Sequence, residues 1–142
     1  RVPQDLRDRI TDAEQLTRVN HRMHMVFAFN YGGRTELARA VRLIAGDVAA
    51  GTLDPESIDH ASIAARLYLP EMPDPDLVIR TSGELRTSNY LLWEAAYSEY
   101  VFTPVLWPDF DRNTLVECSI EYKYRYRRFG GAVDVSDEDA DE

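Results

Sequence analysis

MHMVFAFNYGGRTELARAVRLIAGDVAAG, Met23 to Gly51, opens as a nearly continuous apolar run rich in Val and Phe. It breaks at two glycines and resumes with apolar residues at helical spacing. An apolar run bounded by a breaker predicts a strand buried on both faces, as parallel strands are. Beyond the glycines, Thr35 is placed to cap a helix in which Leu37, Val41, Ile44 and Val48 share a face and Gly51 supplies the stop. Strand, glycine turn and helix make half of a βαβ unit.

The flanking sequence extends the pattern. PQDLRDRITDAEQLTR reads as a helix of modest amphipathicity with Leu6, Ile10 and Leu16 as its apolar points. DPESIDHASIAARLYL predicts a short helix started by Asp54-Pro55 or Asp59, with Ile63 and Leu67 on one face and an end at Pro70. PEMPDP is an extended linker, DLVIRT a short buried strand, and SNYLLWEAAYSE a helix capped by Ser88 or Thr87. EYVFTPVLWPDF reads as a strand running into a proline-ended loop. Asp111 is placed to cap a last helix from about Arg112 to Arg128, with Leu115, Ser119, Tyr122, Tyr126 and Phe129 on one stripe and Gly130-Gly131 as its stop. Strands alternating with helices indicate an α/β layer architecture with a mainly parallel sheet.

Composition sets the outer limits. A chain of 142 residues with 44% hydrophobic and 11% aromatic content is one globular domain's worth, over residues 1–131, and residues 132–142 read as an acidic disordered tail, with a docking tail as the alternative. That tail accounts for most of the net charge of −9, because without Asp134, Asp137, Glu138, Asp139, Asp141 and Glu142 nineteen acidic residues face sixteen basic ones. Nothing in this balance favours nucleic acid. YKYRYRRF alternates aromatic and basic residues as a strand or a nucleic-acid surface would, but the Asp111 cap and closing glycines favour a helix. The one cysteine, Cys118, excludes an internal disulfide and a cysteine-built metal site and reads as a small buried hydrophobe. With neither a membrane-length apolar run nor a signal-peptide pattern, the reading is a soluble, cytoplasmic protein. The start RVPQDLRDRI, without an initiator methionine, reads as part of a longer polypeptide.

RTSGELRTSN, Arg80 to Asn89, carries the chemistry. Ligands of parallel sheets gather at the carboxyl ends of strands, and this stretch begins where DLVI ends. Gly83 lets backbone approach a ligand, a helix start near Ser88 would present free N–H groups, and Arg80 and Arg86 could clamp phosphate oxygens. A diphosphate suits these parts. An alternative stays open on residue pattern alone: Arg80 paired with a structural carboxylate, Ser88 only a cap, Gly83 only a turn. Glu84 and Glu99 are candidate acids near the same strand ends, for work through a magnesium ion or as plain surface residues. His21, His24 and His60 lack ligand spacing and read as structural.

DLVIRTSGELRTSNYLLWEAAYSEYVFTPVLWPDF, together with FNYGGR upstream and RRFGG at the end, closely resembles the C-terminal part of the cis-prenyltransferases. That group includes undecaprenyl and decaprenyl diphosphate synthases. The similarity runs from about Phe27 to Gly131, and the long DLVIRT to WPDF block is its specific part. The resemblance implies a central parallel sheet flanked by helices, assembled as a homodimer, that condenses isopentenyl diphosphate with an allylic diphosphate to a Z-polyprenyl diphosphate. It implies that Arg80, Arg86 and Ser88 hold the isopentenyl diphosphate headgroup and that Glu99 helps bind Mg2+. It further implies that Arg128 and Gly130, in the terminal Arg-Phe-Gly, reach across the dimer to the neighbouring site, while Asn30 to Arg34 serve structure. The catalytic aspartate, in an Asp-Gly-Asn segment, is expected upstream of Arg1, so this chain would supply the isopentenyl half of the site. Ser82 stands where many relatives have a second glycine. A lipid product makes membrane proximity an expectation, and a cell-wall carrier lipid is the bacterial role implied. The competing reading within the family is a non-catalytic partner subunit; outside it, an α/β nucleotide- or nucleic-acid-binding domain resting on YKYRYRRF.

Overall fold

The computed structural model describes residues 2–125. The chain divides into two compact units, Arg1–Asn30 and Tyr31–Glu142.

The first unit carries helix α1, Gln4–Thr17, as the sequence predicts. Its apolar points Leu6, Ile10 and Leu16 are exposed. The extended run from Met23 to Phe29 departs from expectation: it joins no ladder among the described residues, and Phe27 stands 84% exposed. A strand needs a neighbour to take its N–H and C=O groups, and burial on both faces needs a layer on each side. Apolar sequence supplies neither.

In the second unit, helix α2 spans Gly33–Ala49 and begins two residues before the expected Thr35 cap. Its inward residues are Gly33, Glu36, Ala40 and Ile44, so the buried face is rotated from the Leu37–Val48 stripe and only Ile44 is common to both. The cause is Glu36, a carboxylate only 2% exposed. It accepts hydrogen bonds from the Tyr31 hydroxyl and from the Tyr68 amide, the latter at 2.8 Å. Hydropathy cannot anticipate a buried acid whose partners lie elsewhere in the chain. The helix stops as predicted, with Gly51 left-handed at φ 71°, the Gly51 amide bonded to the Val48 carbonyl and the Thr52 amide to that of Asp47.

Both start signals of the next segment are used. Asp54 caps a 3-10 turn, Pro55–Ser57, and Asp59 caps the short helix α3, His60–Ala64, in a reciprocal bond with Ser62. This helix ends well before Pro70. It packs against α2, where Arg66 reaches Asp47 at 2.9 Å and Arg39 donates to the Arg66 carbonyl at 3.0 Å.

Strands β1, Leu77–Arg80, and β2, Glu99–Phe102, form a two-stranded parallel sheet with Leu77 opposite Glu99 and Arg80 opposite Phe102. DLVIRT, expected to be buried, is half-buried throughout β1, whereas Val101 in β2 is fully buried. Residues 88–98, expected as a helix, are a series of turns. Ser88, Asn89 and Leu91 all have positive φ (50°, 63° and 44°), and left-handed residues cannot propagate a right-handed helix.

Helix α4, Arg112–Lys123, starts at the predicted Asp111 cap, which accepts from the Thr114 amide at 2.9 Å. It packs on β2 through Cys118, which is buried as expected, whereas Leu115 and Ser119 of the predicted stripe are exposed. The sequence places the helix's end at Arg128, but its last helical residue is Lys123.

Candidate anion site at the carboxyl end of the first strand

Past β1, hydrogen bonding continues along the chain that follows β2. The Thr103 amide bonds to the Arg80 carbonyl, Ser82 to Val105 and Gly83 to Thr103, each at 2.9 Å. Ser82 and Gly83 are both left-handed, at φ 68° and 66°. Glycine takes that conformation without cost and serine does not, so this turn is held by its ladder bonds. The reversal brings Arg86, Thr87 and Tyr90 to the same pocket as Arg80 and Thr81, with Trp107 on its wall. The pocket holds about 230 Å³, below the roughly 300–1,000 Å³ typical of drug-sized ligands and suited to a compact headgroup.

Arg80 and Ser88 are brought together, with the Arg80 Nη2 pointing to the Ser88 Oγ at 3.4 Å. Buried Nε of Arg80 has no protein partner among the described residues. Arg86 is largely exposed and forms an ion pair with Glu84. Two arginines therefore line one pocket at a strand's carboxyl end, one of them with an unspent buried donor. That is a place where a di-anion gains charge-assisted, bidentate hydrogen bonds. The expected helix N-terminus at Ser88 is absent, for the reason given above, so the positive charge at the pocket is that of the Arg80 and Arg86 side chains and not of a helix dipole. Glu84, read as a candidate acid, is engaged by Arg86.

Glu99 lies elsewhere. The parallel register sets it at the amino end of β2, three ladder steps from Arg80, or about 10 Å at roughly 3.3 Å per residue. The reading that put Glu99 near the same strand ends is thus corrected, because parallel strands carry their carboxyl ends on one side and Glu99 begins its strand. Its carboxylate accepts from Arg125 at 3.2 Å, and Arg125 also donates to the Tyr100 carbonyl at 2.6 Å and to Glu121. Among the described residues no three His, Cys, Asp or Glu side chains gather as a metal-ligand set. Arg128 and Gly130 lie outside the described residues, as does the acidic tail.

Sequence reasoning missed two groupings. Asn89, given no role of its own in the sequence reading, accepts the Gly33 amide with its carbonyl and the Arg34 amide with Oδ1, both at 2.8 Å. The paired glycines of NYGG were its only signal, since a side chain there would collide with the 89–92 segment. The second grouping is the carboxylates of buried Glu36 and half-buried Glu94. Burial raises the Glu94 pKa, with the Glu36 charge adding to it, and Glu94 Oε2 has no partner among the described residues. Burial and the bond to Glu36 push the Tyr31 hydroxyl upward as well.

No described helix is long and apolar enough to cross a membrane. A family model described as "Putative undecaprenyl diphosphate synthase" matches residues 1–130. Isoprenyl transferase 2 of Bradyrhizobium diazoefficiens is 53% identical over 124 residues, 87% of this chain and 49% of that protein. Isoprenyl transferase of Brucella suis is 51% identical over 138 residues, 97% of this chain and 54% of that protein. The chain thus spans about half the length of the curated relatives it matches. Among solved structures, lavandulyl diphosphate synthase from Lavandula x intermedia, in complex with dimethylallyl diphosphate, superposes with a TM-score of 0.84 at 41% identity, over 92% of this chain and 56% of that one. Sequence, α/β architecture and parallel sheet agree: the chain belongs to the undecaprenyl diphosphate synthase family of prenyltransferases.

Proposed function

We propose that this chain supplies the isopentenyl diphosphate half of a cis-prenyltransferase site, as the C-terminal portion, over residues 1–131, of one prenyltransferase domain. The observation that carries the reading is that Arg80 and Arg86 line one pocket beyond β1, with the Ser88 hydroxyl beside Arg80. In the reaction, the double bond of isopentenyl diphosphate attacks the allylic carbon as the allylic diphosphate leaves, and loss of a proton from the isopentenyl unit restores a double bond. The isopentenyl diphosphate group stays on its own substrate throughout. The task of Arg80 and Arg86 is then to neutralise and orient that headgroup, with the Ser88 hydroxyl as a further donor. Tyr90, Tyr100 and Trp107 give the five-carbon unit aromatic walls.

The rest of the proposal follows the family. The departing allylic diphosphate and the catalytic aspartate belong to the other half of the site. Glu99 of this chain is the carboxylate that would help hold a magnesium ion. A homodimer and a polyprenyl product delivered close to a membrane complete the picture.

The test is incorporation of labelled isopentenyl diphosphate into a solvent-extractable product, with an allylic diphosphate and Mg2+, by the protein as its gene encodes it. Turnover supports a catalytic protein. Binding of isopentenyl diphosphate without turnover points to the partner-subunit reading, and absence of both overturns the proposal.

A further inference from the structure

We infer that Asn89 is a positioning residue that couples the start of α2 to the anion pocket; this rests on the reading of Arg80, Arg86 and Ser88 as diphosphate ligands. A helix begins with N–H groups that have no partner inside the helix. At α2 one residue, 55 positions along the chain from Arg34, takes two of them: the Asn89 carbonyl accepts from Gly33 and its Oδ1 from Arg34, both at 2.8 Å. The glycines make the approach possible. A Cβ on Gly32 would lie 2.9 Å from Asn89 Nδ2, and one on Gly33 would lie 2.9 Å from Leu92 Cγ and 3.2 Å from the Leu92 backbone nitrogen.

The pinned residue sits between a neighbour of Arg80 and a residue of the pocket wall. Ser88 precedes it and points its hydroxyl at Arg80, and Tyr90 follows it, lining the pocket and meeting the Tyr31 ring edge-on at 5.6 Å. Ser88, Asn89 and Leu91 are left-handed, a conformation that asparagine tolerates and that the others hold only where surrounding bonds impose it. Asn89 supplies the two that tie this segment to α2. Without its side chain the helix start loses an acceptor, and the backbone that aims Ser88 loses an anchor.

The experiment compares the parent protein, as its gene encodes it, with Asn89→Gly, Asn89→Asp and Arg80→Ala. Glycine keeps the left-handed backbone and removes the acceptor, whereas aspartate keeps an oxygen in the Oδ1 position. Isopentenyl diphosphate affinity is read by calorimetry, and amide exchange is followed over residues 30–36 and 80–90. Asn89→Gly is expected to weaken binding on the order of fivefold, the size of a lost helix cap. It is also expected to speed exchange in both segments, and Asn89→Asp to recover much of each change. Parental binding by Asn89→Gly, faster exchange confined to residues 30–36, or an aspartate variant no better than glycine would overturn the coupling. Coupled exchange alongside parental binding by Arg80→Ala overturns the diphosphate reading and leaves the coupling standing.

Discussion

Replacing Arg80 with alanine tests the pocket most directly. The side chain leaves the carboxyl end of β1 half-buried, its Nη2 only weakly engaged by Ser88 at 3.4 Å and its Nε without a protein partner among the described residues. Its hydrogen-bonding capacity is therefore held in reserve, unlike that of Arg125, which is shared among Glu99, Glu121 and the Tyr100 carbonyl. A hydrogen bond to a charged group contributes about 1.5–3 kcal/mol, so Arg80→Ala should raise the Kd for isopentenyl diphosphate about tenfold to 150-fold. Arg80→Lys keeps the charge but lacks the planar fork and the Nε donor, and should fall between alanine and parent. The Arg80 carbonyl bond to Thr103 is backbone and survives both changes, so the turn beyond β1 stays in place. Titration calorimetry gives the affinities, and circular dichroism through a thermal ramp confirms equal folding. An alanine variant that folds like the parent and binds within twofold of it would refute the assignment.

Glu36, Glu94 and the glycine pair give further expectations. Glu36→Leu strands the Tyr31 hydroxyl and the Tyr68 amide, about 1–3 kcal/mol for each unsatisfied buried group, whereas Glu36→Gln keeps an acceptor and should lose less in urea unfolding. Equal stability of the leucine variant and the parent would show that the carboxylate is not holding these groups. Glu94 is raised in the folded state above its ordinary 4.5, so the native protein binds the extra proton and stability falls as pH climbs from about 4.5 through the folded pKa. Glu94→Gln should flatten that fall and stabilise the protein at neutral pH; an unchanged pH profile of unfolding would count against it. Gly33→Ala should cost about 1–3 kcal/mol, since its Cβ would meet Leu92 at 2.9 Å including backbone close by, and a Tm equal to the parent's would contradict the close approach.

Signals written locally were legible. Asp54, Asp59 and Asp111 cap where expected, Gly51 ends α2, and the strand character of DLVI and EYVF needs only an apolar run with turn residues on either side. The arginines of RTSGELRTSN could be placed at a strand's end because β1 fixes where that end is. What failed depended on partners distant in the chain. The face of α2 is set by Tyr31 and Tyr68 bonding to Glu36, and SNYLLWEAAYSE keeps a helical hydropathy while its backbone is claimed by the α2 start. The run from Met23 to Phe29 has the composition of a central strand without a neighbour among the described residues, and pairing is not a property of one segment. Glu99 was misplaced because a residue's position in a strand tells nothing of direction until the ladder is known to be parallel.

Cys118 is the only cysteine of the 142 residues and is 4% exposed, under the face where α4 rests on β2. Burial and the nearby carboxylates of Glu121 and Glu117 raise its pKa, so little of it is the thiolate that reacts. A thiol reagent therefore labels this side chain only in the fraction of molecules in which α4 has lifted away, and the lifting must also part the Arg125 clasp from Glu99 and Tyr100. The molecule carries its own single-site clock for the opening of that face, readable without any added probe.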